Sequence, residues 1–305
     1  MKRVIEVKKL IKKYGALNAV NDVSFHVLKG EVFGLLGENG AGKTTSLEII
    51  EGLRKASSGN IKILGHDIKK GTNSIKEKIG VQLQSSAYYD FLNLHEILDL
   101  FGSFYQESVS PQELLKLVEL ENKSKSYIKK LSGGQKQRFS IVASLVNNPD
   151  IVFLDEPTTG LDPLARRNVW DLINKIRDQG KTIILTTHYM EEAEKLCDRV
   201  AIMEKGKIIA MDETHKLVRS TKCPFKIDLI APKIKPETIK QLEKLGKVET
   251  INGKTEHFEI RFQTNGNLNQ AINIIQKIKP ESLTVGKTTL EDLFIELTGK
   301  KIQND

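Results

Sequence analysis

Long apolar runs are missing from this 305-residue chain. A spanning helix needs about 18 consecutive apolar residues. The best stretches, Val32–Leu36 and Ile151–Leu154, are short and read as buried strands. Any role at a membrane must then pass through another chain. The opening residues, Met1-Lys2-Arg3-Val4-Ile5-Glu6-Val7, are charged without an apolar core, so no secretory signal is expected. Cysteine is scarce: Cys197 and Cys223 stand alone, with no CxxC or metal-ligand spacing. That argues against a disulfide scaffold and suits a reducing compartment. Aromatics make up 6% and are nowhere interleaved with basic runs, which bears on the net charge of +8. A basic chain invites a nucleic-acid reading, but the excess is +4 before Arg219 and +4 from Arg219 onward, mixed with acids throughout. A solvated surface, or one facing anionic lipid headgroups, explains it better.

What is present is the composition of a globular protein, long enough for one large domain and a smaller one. Through the first two-thirds, apolar runs alternate with helical patterns, which predicts a parallel sheet with crossover helices. The expected strands are Glu31–Leu36, Asn60–Leu64, Ile79–Gln84, Ile151–Asp155, Thr182–Thr186 and Arg199–Met203. Between about 88 and 148 the pattern is helical, with helices expected at Leu94–Tyr105, Pro111–Leu120 and Gly133–Asn147, forming an inserted subdomain. Near Ser220 the rhythm changes. Strand Phe225–Ile230, helix Glu237–Leu245, strands Val248–Ile251 and His257–Phe262, helix Asn269–Ile278 and strand Ser282–Val285 follow. That order suits a small split-βαβ domain, closed by a helix at Thr289–Thr298.

Two patterns carry chemistry. Gly37-Glu38-Asn39-Gly40-Ala41-Gly42-Lys43-Thr44 fits G-x-x-x-x-G-K-[ST], after a strand and before a helix. Glycines let the backbone curl until its N–H groups point inward at phosphates, and the helix N-terminus adds partial positive charge there. Lys43 would reach the β- and γ-phosphates, and the Thr44 hydroxyl would ligate Mg²⁺. The second pattern is Ile151-Val152-Phe153-Leu154-Asp155-Glu156, an apolar strand ending in two acids. The strand end of an open parallel sheet is where ligand groups gather. Asp155 would hold Mg²⁺ and Glu156 would polarise the attacking water.

Leu131-Ser132-Gly133-Gly134-Gln135, before a long helix, is similar to the signature motif of the ATP-binding-cassette ATPases. A hydroxyl followed by two glycines at a helix start makes a second anion site in its own right. The resemblance covers about the first 215 residues and implies roles for others in order. It groups Glu38, Asn39, Ala41, Thr45 and Gln135 with the nucleotide-binding residues. Tyr14 resembles the aromatic that stacks on adenine. Gln84 resembles the glutamine that contacts Mg²⁺ and couples to a permease. Leu83 stands where the family often has Pro, so Gln82 stays as the alternative. Gly160-Leu161-Asp162 resembles the loop that crosses to the other subunit, and His188 the switch histidine on the γ-phosphate. The ending Thr289–Gly299 resembles the drug- and antibiotic-exporting members whose permease is a separate chain.

The resemblance implies an α/β fold, a phosphate-loop ATPase core with parallel sheet and helical subdomain over 1–219, to which the changed pattern near Ser220 adds a small α+β domain over 220–305. It implies ATP and Mg²⁺ as cofactors, Lys43, Glu156 and His188 as catalytic residues, and a homodimer sandwiching two nucleotides. It also implies a separate transmembrane permease, a place on the cytoplasmic face of the membrane, and an amphiphilic small-molecule or lipid-like cargo. The rival is a cytosolic cassette ATPase acting on ribosomes or nucleic acid; the coiled-coil or DNA-contact insertions of that class are not visible in the sequence.

Overall fold

A computed structural model describes residues 2–70, 72–83, 88–231, 234–251 and 256–299. The chain forms two compact units, Met1–Thr214 and His215–Asp305.

The first unit opens with a hairpin, β1 Arg3–Tyr14 and β2 Leu17–Leu28. There follow β3 Val32–Leu36, α1 Lys43–Ile50, β4 Ser58–Ile63, β5 His66–Asp67, α2 Thr72–Lys76 and β6 Ile79–Gln82. Three helices come next, α3 Leu94–Gly102, α4 Pro111–Leu117 and α5 Gly133–Ala143. The unit is completed by β7 Ile151–Asp155, α6 Pro163–Asp178, β8 Thr182–Thr187, α7 Met190–Leu196, β9 Arg199–Glu204 and β10 Lys207–Glu213. The short α8, Thr214–Arg219, lies across the division between the units.

These strands make two sheets. The larger runs β10-β9-β3-β8-β7-β6, parallel from β9 to β6 with β10 antiparallel at the edge. Its middle strands β3, β7 and β8 are buried along their whole length. Strands covered on both faces must be continuously apolar, which is why these runs stand out in the sequence. The second sheet, β2-β1-β4-β5, is antiparallel. It corrects the sequence expectation at Asn60–Leu64, where β4 pairs with β1 and takes no part in the parallel sheet. Val7, Leu10, Val23 and Val27 share one buried core with Leu47 and Ile50 of α1 and with Phe33 and Phe153.

The helical segment between β6 and β7 is set by its caps. Asn93 and Glu96 form a capping box on α3, Ser110 caps α4 with Pro111 at its first turn, and Ser132 and Gln135 form a box on α5. All three helices stop earlier than the apolar pattern implied. β6 ends at Gln82, and Gln84 lies outside the described residues.

The second unit has β11 Phe225–Ile230, α9 Pro236–Glu243, β12 Lys247–Thr250, β13 His257–Phe262, α10 Asn265–Gln276, β14 Ser282–Lys287 and α11 Leu290–Thr298. Its antiparallel sheet has the order β12-β13-β11-β14. The first strand thus sits between the third and fourth, the split-βαβ arrangement. Ile227, Leu229, Phe258 and Ile260 pack under Leu242, Leu268 and Ile275 of the helices. Lys226 and Arg261, which pair across β11 and β13, point to the opposite face. There they meet the Asp292 carboxylate of α11 at 3.2 and 3.1 Å.

Candidate active site

The loop from Gly37 to Gly42 joins β3 to α1, and its curl depends on glycine. Gly37 and Gly42 have φ of +156° and +97°, and a Cβ at either would lie 2.4 Å from a carbonyl oxygen, of Met203 and Ala19 respectively. No other residue fits both the conformation and the space. Ala19 belongs to β2, so the hairpin that carries Tyr14 borders this cradle. Tyr14 itself is exposed at the end of β1, with the Lys12 ammonium 5.0 Å and the Arg54 guanidinium 5.7 Å from its ring centre.

Lys43 is buried at the first turn of α1, and its ammonium donates to the carbonyl oxygens of Gly37 at 2.9 Å and Glu38 at 3.2 Å. It also lies 3.2 Å from Oε1 of Glu156. Burial lowers its proton affinity, while Glu156 and Asp155 pull the other way. A buried cation ringed by oxygen acceptors and a cradle closed to any Cβ suit a phosphate, whose oxygens can take the acceptors' places.

Asp155 and Glu156 follow the end of β7 side by side but in different surroundings. Asp155 Oδ1 accepts from the Thr44 hydroxyl at 3.1 Å and the Thr186 hydroxyl at 2.5 Å. Burial raises its pKa against those hydrogen bonds. A hydroxyl beside a carboxylate, both at the phosphate loop, is the hard oxygen donor set that Mg²⁺ prefers, with phosphate and water completing it. Glu156 is held in the left-handed region at φ +48°, a conformation that costs on the order of 1–3 kcal/mol and persists only where neighbours impose it. Here they do: its N–H donates to the Thr186 hydroxyl at 2.9 Å, and its Oε2 accepts from Thr159 at 2.9 Å. His188 Nδ1 sits 3.2 Å from the same oxygen. The pKa of Glu156 is held down to about 2, first by His188, against burial, then by Lys43 and Thr159. Glu156 is therefore a carboxylate at neutral pH, hemmed between a cation and an imidazole.

The signature residues lie in a different place. Ser132 Oγ accepts from the Gln135 N–H at 3.4 Å, and Gln135 Oε1 accepts from the Ser132 N–H at 3.1 Å and from Lys123 at 3.0 Å. Ser132, Gly133 and Gly134 line a cleft of about 470 Å³ with Gly160, Leu161 and Asp162. Asp162 caps α6 through the N–H groups of Leu164 and Ala165. A Cβ on Gly133 would meet nothing within 4 Å, whereas one on Gly134 would lie 2.8 Å from Cβ of Ala165. The structure thus gathers Lys43, Thr44, Asp155, Glu156 and His188 into one cluster, and Ser132, Gly133, Gly134, Gln135 and Asp162 into another.

Residues 20–159 match the family described as ABC transporter. The chain is 36% identical over 308 residues to Nod factor export ATP-binding protein I of Paraburkholderia xenovorans (strain LB400), covering 98% of each chain. The chain belongs to the ABC transporter family. It is 33% identical to the linearmycin resistance ATP-binding protein LnrL of Bacillus subtilis (strain 168), covering 99% of this chain and all of the relative. Among solved structures, a dimeric post-hydrolysis ATP-binding cassette with ADP and Pi superposes with a TM-score of 0.62 at 27% identity, covering 68% of this chain and 98% of that one. ABC cassettes bind and hydrolyse ATP to power transport, form dimers, and work with a transmembrane component.

Several residues of this ABC cassette escaped the sequence reading. Thr186 fixes both Asp155 and Glu156 from the neighbouring strand. Glu192 is buried on α7 and accepts from Thr158 at 2.8 Å and from the Trp170 indole at 3.1 Å, which braces the loop after Glu156. Burial raises its pKa. Its sequence signal is faint: Glu192 stands four residues before Leu196 and so shares its inner face. Gln82, the alternative to Gln84, is buried on β6.

Proposed function

We propose that this ABC cassette is the ATP-hydrolysing subunit of an exporter, driving an amphiphilic or lipid-like compound through a separate permease. The observation that carries the chemistry is the buried cluster of Lys43, Glu156 and His188 beside the Thr44–Asp155 pair. In this reading Lys43 and the loop N–H groups hold the phosphates of ATP. Thr44 and Asp155 hold Mg²⁺, which when bound offsets the charge of the phosphates. Glu156, ionised and fixed in direction, takes the hydrogen bond of the attacking water, and His188 is aimed at the same point.

Each chain has one cradle and one signature cleft, so two copies can close two nucleotides between them, the signature of each meeting the cradle of the other. Gly133, open on its outer side, is the place where N–H groups would approach a phosphate. Among the described residues no helix is long and apolar enough to cross a membrane, so force must leave through a docking surface. A cleft of about 990 Å³ between β6 and the helical segment, lined by Leu83, Tyr88, Phe101 and Phe104, supports that role. Tyr88 packs against Phe101 and Phe139, but Tyr89 and Phe91 are 55% and 74% exposed. Aromatic side chains left in water are typical interface anchors. The docking partner in this reading is a short cytoplasmic helix of the permease, which would hold the cassette at the cytoplasmic face. The export and resistance names of the relatives support outward transport.

Glu156→Gln tests the chemistry. Phosphate release should fall by about 10²–10⁴-fold while nucleotide affinity is retained, and unchanged turnover refutes the assignment. Fractionation wholly with ribosomes or DNA, with no membrane protein retained, overturns the transport reading.

A further inference from the structure

α1 begins in the phosphate cradle at Lys43, and Glu51 is its C-cap. Glu51 is only 7% exposed and stands at the negative end of the helix dipole, where a cation is favoured and an anion is not. Its Oε1 has no hydrogen-bond partner among the described residues. The side chain nevertheless lines the large cleft, among Leu83, Tyr88, Phe101 and Phe104, with a second acid, Glu77, on the same wall. Burial is the main cause that raises its pKa to about 8, and Asp155 and Glu48 add to it. Lys76, exposed on the same wall, gives Glu51 Oε1 no hydrogen bond, and the other basic groups nearby are committed elsewhere. Arg54 bonds Glu48 at 2.6 Å, and Lys43 serves Glu156 and the cradle. A buried carboxylate in an aromatic wall is costly unless paired. Glu51 is thus a carboxyl with an unpartnered oxygen beside an aromatic wall, and it gives up its proton readily only where a cation meets it.

We propose that Glu51 is the charge anchor of this cleft, accepting a Lys or Arg side chain from the cytoplasmic helix of the permease, an inference that rests on the docking reading above. The aromatic wall takes the apolar face of that helix and Glu51 takes its cation. The basic side chain reaches Glu51 through its own aliphatic stem, which the cleft wall covers. Pairing at this position also has a mechanical consequence. The eight residues of α1 span about 12 Å and carry Glu51 at one end and the phosphate-holding Lys43 at the other. A cation held at Glu51 therefore ties the permease helix to the element that responds to nucleotide, without passing through any flexible segment.

The test uses the full-length chain in its native membranes, with the photoreactive residue p-benzoylphenylalanine at Phe104, on the exposed rim of the cleft. Illumination should capture a membrane protein through a cytoplasmic helix that contains Lys or Arg. Glu51→Lys should lower the capture and the co-purification by about 30-fold or more, as expected when a buried charge loses its partner. Glu51→Gln, which keeps the shape without the charge, should fold at least as stably as the native chain and still lose about tenfold. Reversing the basic residue of the captured helix to Glu should restore binding to Glu51→Lys. If the helix is captured equally well by Glu51→Lys, or no basic residue in it rescues that variant, the anchor is wrong while the docking surface stands. If the native sequence captures no membrane protein at all, the docking reading fails and the anchor falls with it.

Discussion

Replacing Glu51 by Gln in the isolated chain should make the ATPase unit more stable, and more so as pH rises. In the unfolded chain Glu51 ionises above about pH 4.5. In the folded protein burial, Asp155 and Glu48 raise its pKa to about 8. Between those values the folded state binds one proton more than the unfolded state, so stability falls as pH rises, and the fall ends above about pH 8. At about 1.4 kcal/mol per unit the ceiling is about 5 kcal/mol. The cleft is open to water, which screens the charge and reduces the expected penalty to about 2 kcal/mol. For a unit of this size that is roughly 4–8 °C in melting temperature. The assay is simple because the chain has one tryptophan, Trp170, buried on α6 in the ATPase unit. Its fluorescence should show Glu51→Gln melting about 4–8 °C above the native chain at pH 8.5, and within about 1 °C of it at pH 4.5. A difference that does not change with pH refutes the reasoning, because Glu51 would then ionise alike in both states. A variant less stable than the native chain at pH 8.5 refutes it more directly.

The two glycines of the signature should separate structure from assembly. Gly133→Asp, whose side chain has open space, should fold normally yet abolish the ATP-dependent dimer of the Glu156→Gln chain in sedimentation; a dimer that survives it contradicts the proposed sandwich. Gly134→Ala should instead cost about 1–3 kcal/mol in urea unfolding, since its Cβ presses on Ala165 within the same chain. Glu192→Ala, by stranding the buried Thr158 hydroxyl and Trp170 indole, should cost about 2–4 kcal/mol. Glu192→Gln, which keeps an acceptor, should cost less, and equal losses for the two would mean that the hydrogen bonds contribute nothing.

The parts of this protein legible in its sequence are those whose chemistry needs neighbouring residues along the chain. The phosphate loop is one: glycines, lysine and threonine must follow one another because a single turn of backbone wraps the phosphate. The strand into Asp155 and Glu156 is another, since a strand covered on both faces is uniformly apolar and its end is marked by the first charge. In the second unit Phe225–Leu229 and His257–Phe262 alternate strictly, so strands and helices could be placed in order. The hairpin of β1 and β2 was harder. Its outer face carries Glu6, Lys8, Lys9, Lys12 and Lys13, and the register shifts around Lys9 break the alternation that would reveal a strand. The sheet to which β4 belongs is fixed by its partner β1, which its own residues do not name.

Glu51 and Glu192 show why the remaining functional groups escaped. Each is an acid in a segment with other acids, Glu48 in one case and Glu191 and Glu194 in the other, and such a run reads as a solvated helix face. What distinguishes them is supplied from far along the chain. Trp170 and Thr158 reach Glu192 from α6 and from the loop after β7, and the walls around Glu51 come from β6, α3 and α5. The two then differ in a way that only tertiary structure displays. Glu192 holds two donors of its own chain on Oε1, Thr158 and the Trp170 indole, and so braces the catalytic loop from within, although its Oε2 has no partner among the described residues. Glu51, 7% exposed, also has an oxygen without a donor, but it accepts no described side-chain donor at that oxygen and lines a cleft large enough to admit a side chain. A carboxyl that meets two donors of its own fold already has partners to hold it in place. One enclosed on the inner side and bare on the outer is complete only when another molecule supplies the charge.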